Sequence, residues 1–228
     1  MTITLGFDVY GTLIDTAGIA DALTAHVGER AGAFALAWRT KQLEYAFRRE
    51  LMQRYRDFAV CTRQSLDYVC SQFRAPITET ARAELMARYR ELPPFADAKP
   101  GLARLAAAGH RLHAFSQGRR DDVEALLRHA GIDGHFASVV SLEDIGCFKP
   151  RPLAYTHFLE ATGSVAADAW VVSGNPFDVL GAVSAGLNGA WVKRSPDAIL
   201  DPWELAPTLT CEDLPRFADA LAARDGRA

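Results

Sequence analysis

From about residue 98 onward, short apolar runs alternate with stretches of helical periodicity. The runs Arg111–Phe115, Ala137–Val140, Ala169–Val172 and Ala190–Lys193 read as buried strands bounded by turn signals. Helical stretches near 100–108, 120–130, 151–162 and 178–186 separate them. A chain that repeats strand, helix, strand in this way has few solutions other than a parallel sheet with crossover helices.

One strand, Ile3–Phe7, stands apart from the rest. Residues 16–92 carry no strand pattern, and their apolar residues recur at helical spacing, with Leu36, Leu43, Phe47 and Leu51 assigned to one face. Pro93 and Pro94 close the segment, because proline disfavours helix at the junction. The expected architecture is α/β, with a parallel-sheet core from residues 1–15 and 94–228 and a helical insertion over 16–93. The tail Asp225–Ala228 is expected to fray.

Composition narrows the function classes. The 228 residues are 49% apolar, enough to bury a core without disulfides or metal. Twenty-five basic and 28 acidic residues give a net charge of −3, which argues against a nucleic-acid or anionic-membrane surface. No apolar run reaches the ~18–20 residues of a membrane span, and Met1–Leu5 lacks the basic start of a signal peptide. Cys61, Cys70, Cys147 and Cys211 form no CxxC pair, so reduced, packed thiols in a cytoplasmic protein are expected. The histidines make no HExxH pattern, and His110 and His113 have no carboxylates spaced to join them as metal ligands. No GxGxxG or P-loop occurs. Neither a metal nor a nucleotide cofactor is therefore expected.

Three strands end alike. The first runs into Asp8, with Gly11 and Thr12 following; the second into Ser116, Gln117 and Gly118; another into Ser173, Gly174, Asn175 and Asp178. In open parallel sheets ligands bind beyond the carboxyl ends of the strands. The three loops thus predict one site from distant segments. Each residue also has a plainer reading. Asp8, Ser116, Ser173 and Asp178 suit caps and turns, and Lys149 suits a solvated loop. Their joint arrangement favours the site.

Four segments carry a resemblance. FDVYGTLID (7–15), FSQG (115–118), FKPRP (148–152) and VSGNPFD (172–178) resemble, in order, the four motifs of the haloacid dehalogenase superfamily. The resemblance spans essentially the whole chain. It implies a Rossmann-like core carrying an inserted helical cap subdomain. Most phosphatases of that superfamily carry a second aspartate where Tyr10 stands and a metal-binding carboxylate where Gly174 stands. Attack on a phosphate dianion needs Mg²⁺ and a proton for the leaving alkoxide; halide leaving from carbon needs neither.

The run 37–58 resembles the cap helix of L-2-haloacid dehalogenases. The resemblance implies that Asp8 is the nucleophile toward an (S)-2-haloalkanoic acid, forming an ester that water hydrolyses. Lys149 would offset charge, Asp178 would act as base or position the water, and Ser173 and Asn175 would orient them. Thr12 and Ser116 would hold the carboxylate and ester oxygens. Arg39, on spacing alone a solvated helix charge, matches the arginine that contacts the departing halide. Leu43, Phe58, Tyr10 and Phe177 match pocket walls, and Tyr155 another site position; core packing is their plainer role. Gln117 stands where these enzymes typically carry asparagine. A homodimer is implied, with Trp38 and Tyr45 available either to the interface or to the core. The alternatives are a Mg²⁺-dependent phosphohydrolase of the same superfamily and a catalytically silent small-acid binding protein.

Overall fold

A computed structural model describes residues 2–224; the tail Asp225–Ala228 lies outside them. The first strand, β1 (Thr4–Phe7), is buried along its whole length. The chain then leaves the sheet for α1 (Ile19–Val27), α2 (Ala31–Leu51), α3 (Phe58–Gln72) and α4 (Glu79–Arg88). Asp57 caps α3 by accepting from Val60 N–H at 2.9 Å, and Thr78 caps α4 through Ala81 N–H at 3.2 Å. Return to the sheet follows the two prolines, where Ile14 pairs with Pro94.

Helix and strand then alternate through α5 (Ala98–Ala107), β2 (Arg111–Ser116), α6 (Arg120–His129), β3 (Ser138–Ser141), α7 (Pro152–Thr162), β4 (Ala169–Ser173), α8 (Pro176–Ser184) and β5 (Asn188–Val192). A short edge strand, β6 (Leu209–Cys211), and α9 (Leu214–Arg224) complete the described chain. Proline opens both α7 and α8, where its missing N–H has no helical partner to lose. The strand order is β3-β2-β1-β4-β5-β6, parallel throughout. That order puts β1 between β2 and β4, at the switch point where ligands collect in doubly wound sheets.

The expected strands exist, with ends moved by a residue or two. β5, for example, begins at Asn188 because its ladder with β4 starts there. Neither β6 nor α9 was anticipated. β6 is only three residues long, and α9 buries Leu214, Phe217 and Leu221 against α5.

The apolar face assigned to α2 is corrected. Leu36 and Leu51 are 69% and 85% exposed, while Leu43 and Phe47 are only partly covered. The buried stripe is Ala31, Phe34, Ala35, Trp38, Gln42 and Ala46. It packs on α1 and α3, so small and aromatic side chains, not the leucines, set the rotation of the helix. Trp38 belongs to this core.

Candidate active site

The ends of β1, β2 and β4 bring the polar loops together as the alternation predicts. Asp8 follows β1, and its two carboxylate oxygens have different partners. Oδ2 accepts from Thr12 Oγ1 at 2.7 Å and from Asn175 Nδ2 at 2.8 Å. Oδ1 accepts from Lys149 Nζ at 3.1 Å. Thr12 is held in turn by Gly174 N–H, which donates to its hydroxyl oxygen at 2.8 Å.

Lys149 is 1% exposed. Its ammonium donates to Asp8, to the Phe115 carbonyl at 2.9 Å and to Asp178 Oδ2 at 2.8 Å, so all three protons are engaged. The solvated-loop reading of this lysine is therefore excluded. Asp178 is fully buried on the first turn of α8, and its Oδ1 accepts from the Tyr155 hydroxyl at 3.1 Å. The same hydroxyl lies 3.0 Å from the Asp178 carbonyl oxygen. Gly181 makes this approach possible: a Cβ there would overlap the Tyr155 hydroxyl and lie 2.7 Å from Pro150.

Two carboxylates thus share one buried ammonium. Burial, reinforced by the charge of Asp8, raises the pKa of Asp178, while Lys149 and a bond from Ser173 pull the other way. Burial also lifts Tyr155 well above the ordinary tyrosine value, so its hydroxyl stays a donor.

Ser173 Oγ accepts from Asn175 N–H at 3.1 Å and lies 3.5 Å from Thr12 Oγ1. Ser116 Oγ accepts from Gly118 N–H at 3.0 Å, a turn contact. The neighbouring Gln117 is buried, with its side-chain carbonyl oxygen lacking a hydrogen-bond partner.

The helical insertion supplies the other side. Arg39 on α2 is half-buried and turns inward; its Nη2 donates to the Tyr10 carbonyl at 3.1 Å. That carbonyl also accepts from Asn175 Nδ2 at 3.0 Å, which connects Arg39 to the Asp8 group. Phe58, the first residue of α3, and Tyr10 meet with ring centroids 6.0 Å apart. Burial and the nearby Tyr89 raise the pKa of Tyr10. Phe177 meets Phe47 edge-on at 5.0 Å. Leu43 is half-buried and packs against the core one turn after Arg39.

A cleft of 580 Å³ runs past Phe47, Leu51, Trp203, Phe177 and Lys149; Asp8 does not line it. Among the described residues no three His, Cys, Asp or Glu side chains gather to hold a metal. No described helix is long and apolar enough to cross a membrane.

Three site neighbours escaped the sequence reading. Gln42 is fully buried and accepts from Arg39 Nη1 at 2.7 Å; its signal was a polar residue within the apolar stripe of α2. Glu50 accepts from Phe148 N–H at 2.7 Å, a contact between segments far apart in sequence. Arg194 donates to the Thr12 carbonyl and pairs with Asp97 at 2.7 Å, a contact from the end of β5 that spacing does not show.

The haloacid dehalogenase-like hydrolase family profile matches residues 4–186. The chain is 37% identical over 188 residues to an (S)-2-haloacid dehalogenase of Xanthobacter autotrophicus, covering 82% of this chain and 74% of that one. It is 34% identical over 190 residues to haloacetate dehalogenase H-2 of Moraxella sp. (strain B), covering 83% and 85%. The fold matches the L-2-haloacid dehalogenase of Xanthobacter autotrophicus with chloropropionic acid covalently bound, at a TM-score of 0.90 and 30% identity, over 97% of this chain and 98% of that one. A profile match running from β1 to the end of α8, with relatives at this identity over most of their length, decides the lineage: the chain belongs to the haloacid dehalogenase-like hydrolase family.

Proposed function

We propose that the protein hydrolyses (S)-2-haloalkanoic acids to (R)-2-hydroxy acids and halide through an ester on Asp8. The observation that carries this reading is the asymmetry of the Asp8 carboxylate. Thr12 and Asn175 fix Oδ2, while among the described residues Oδ1 accepts only from the Lys149 ammonium. Such a carboxylate is oriented, with one oxygen left to attack.

In the first step Oδ1 attacks C2 from the face opposite the halogen. The C–O bond forms as the carbon–halogen bond breaks, the halide leaves with the electron pair, and C2 inverts. Arg39 receives the halide. In the second step water attacks Cγ of the Asp8 ester and gives its proton to Asp178. Charge collects on Oδ2, where the Thr12 and Asn175 donors already point. The intermediate collapses with cleavage of the Cγ–Oδ1 bond, the departing alkoxide takes the proton from Asp178, and the second proton of the water is released to solvent as the Asp8 carboxylate is restored. The product therefore keeps the original Oδ1, and Asp8 regains an oxygen from water. Tyr10, Phe58, Leu43 and Phe177 wall the reacting carbon from solvent, Ser116 and Gln117 border the substrate carboxylate, and Ser173 and Tyr155 hold Asp178.

Helices α1–α4 act as the cap in this reading, and residues 1–15 and 94–228 as the catalytic core. Gly174 supports the reaction class. It occupies the place of the phosphatase metal carboxylate, and a Cβ there would overlap the Gly11 carbonyl oxygen. We assign a homodimer, for which Leu36, Leu51 and Met52 supply exposed apolar side chains; sedimentation velocity reads the assembly state directly.

The test is halide release from (S)-2-chloropropionate, beside the (R)-enantiomer, an EDTA control and Asp8→Asn. Release from (S) only, unchanged by EDTA and absent in the variant, is expected. Turnover of phosphate esters that needs Mg²⁺, with no halide release, would replace the reading with a phosphohydrolase. A single turnover in H₂¹⁸O should place label in Asp8 rather than in the product.

A further inference from the structure

We propose that Gln42 is a positioning residue that aims the Arg39 guanidinium at the departing halide. The inference rests on the dehalogenase reading above and deepens it. Gln42 is wholly buried on α2, one turn after Arg39, in a stripe that is otherwise apolar. A buried amide is retained against its desolvation cost only when its hydrogen bonds are met. Here both ends are met, and the partners determine which end faces Arg39.

Thr62 on α3 fixes the direction. Its hydroxyl proton goes to the Phe58 carbonyl at 2.8 Å, because a carbonyl can only accept. Toward Gln42 the same hydroxyl oxygen can therefore only accept, and Gln42 Nε2 donates to it at 2.5 Å. The opposite end of the amide is then the carbonyl oxygen, which accepts from Arg39 Nη1 at 2.7 Å and from the Tyr89 hydroxyl at 3.2 Å. A flipped amide would set an NH₂ against a guanidinium and leave both unpaired. The chain Phe58–Thr62–Gln42–Arg39 thus transmits the geometry of α3 to a cation whose other nitrogen is bonded to the Tyr10 carbonyl. Two anchors on one planar guanidinium fix its plane, and in the proposed role its remaining N–H groups are the ones that meet the halide.

A positioning role predicts a dependence on the leaving group that a packing role does not. Chloride is the poorer leaving group, so an Arg39 that no longer reaches the halide should slow the chloro substrate more than the bromo substrate. The experiment measures kcat, KM and bromide inhibition for wild type, Gln42→Leu, Gln42→Glu and Thr62→Val, with (S)-2-chloro- and (S)-2-bromopropionate. Each variant's thermal unfolding midpoint is recorded alongside.

For Gln42→Leu, kcat on the chloro substrate should fall about 10–100-fold, KM should change less than about 3-fold, and bromide inhibition should weaken. Gln42→Glu restores an acceptor for Arg39, since the Thr62 hydroxyl can rotate to donate. It should recover kcat to within about 5-fold of wild type and restore the chloro-to-bromo ratio. Thr62→Val frees the amide to flip and should show the same leaving-group signature in weaker form. It decides the question by itself if Gln42→Leu does not fold. A lower midpoint with an unchanged chloro-to-bromo ratio and unchanged bromide inhibition overturns the proposal while leaving the dehalogenase reading intact. Wild-type protein that releases no halide from either substrate overturns both.

Discussion

Glu50 at the end of α2 accepts from Arg151 at 2.8 Å, two residues beyond Lys149, while its other oxygen holds the Phe148 N–H just before it. One carboxylate from the helical insertion therefore grips both flanks of the buried lysine. Glu50→Ala should loosen the Lys149 loop and lower kcat about 3–10-fold. Stability should drop by about 1–2 kcal/mol, chiefly through the lost backbone contact. Steady-state kinetics and urea unfolding check the two effects. Arg151→Ala should cost less of both, because Arg151 is 42% exposed and exposed pairs contribute little.

Lys149→Met should abolish turnover, with a loss of about 10³-fold or more. It also leaves Asp8 and Asp178 buried without their shared cation. Breaking a buried pair in this way typically destabilises by about 3–5 kcal/mol. Protonating Asp178, whose neutral form burial already favours, relieves part of that penalty, so the deficit should be larger at neutral pH than in mild acid. Urea unfolding of wild type and variant at two pH values tests this.

The pH profile of turnover follows from Asp178. Burial raises its pKa above the ordinary 3.8, and the hydrolytic step we propose needs it ionised. Activity should therefore climb with pH through a midpoint higher than an ordinary aspartate would give. The sign for stability is opposite: the protonated form is the one favoured by folding, so this group's contribution declines as pH rises through the raised value. Tyr155→Phe removes a donor that favours the ionised form, and should move the acidic limb of kcat to higher pH.

His113 gives a separate acid response. Its pKa is pushed down to about 4 by burial, with Arg111 adding to the effect, and its Nε2 is buried without a partner. Neutral in the fold and basic when unfolded, it contributes stability above its ordinary value of 6.5 that is lost as pH falls toward 4. The loss should approach about 1.4 kcal/mol per pH unit within that window. His113→Leu should flatten the curve between those limits, as chemical unfolding across the range would show.

Residues at strand ends were legible because two signals coincide there, an apolar run and the polar turn that stops it. Asp8, Ser116, Ser173 and Asp178 are found that way, and the motif resemblance adds Lys149. The rotation of α2 was not legible. Its leucines gave a plausible stripe, yet Leu51 is 85% exposed, since the space between α1 and α3 suits Ala35, Trp38 and Ala46 better. Glu50 and Arg194 share the same difficulty, whereas Gln42 could be found only once the rotation of α2 was known. Each acts across an interface between segments distant in sequence, and no local period records such a contact. The short β6 failed for a different reason: a three-residue edge strand is too brief to show a period.

The contact of Gly174 with Gly11 bears on how this scaffold can be redirected. Installing an acidic side chain at 174 is the obvious first move for anyone seeking to graft a divalent-ion reaction onto this framework. The Gly11 carbonyl already fills the space that its first carbon would need, and Gly11 itself has φ +83°, a conformation that resists any replacement able to shift that turn. The change would have to be made in the two loops together. Intermediates along that route would carry the strain before they acquired the new chemistry, which sets a barrier between the two reaction types in the main chain rather than in any exchangeable side chain.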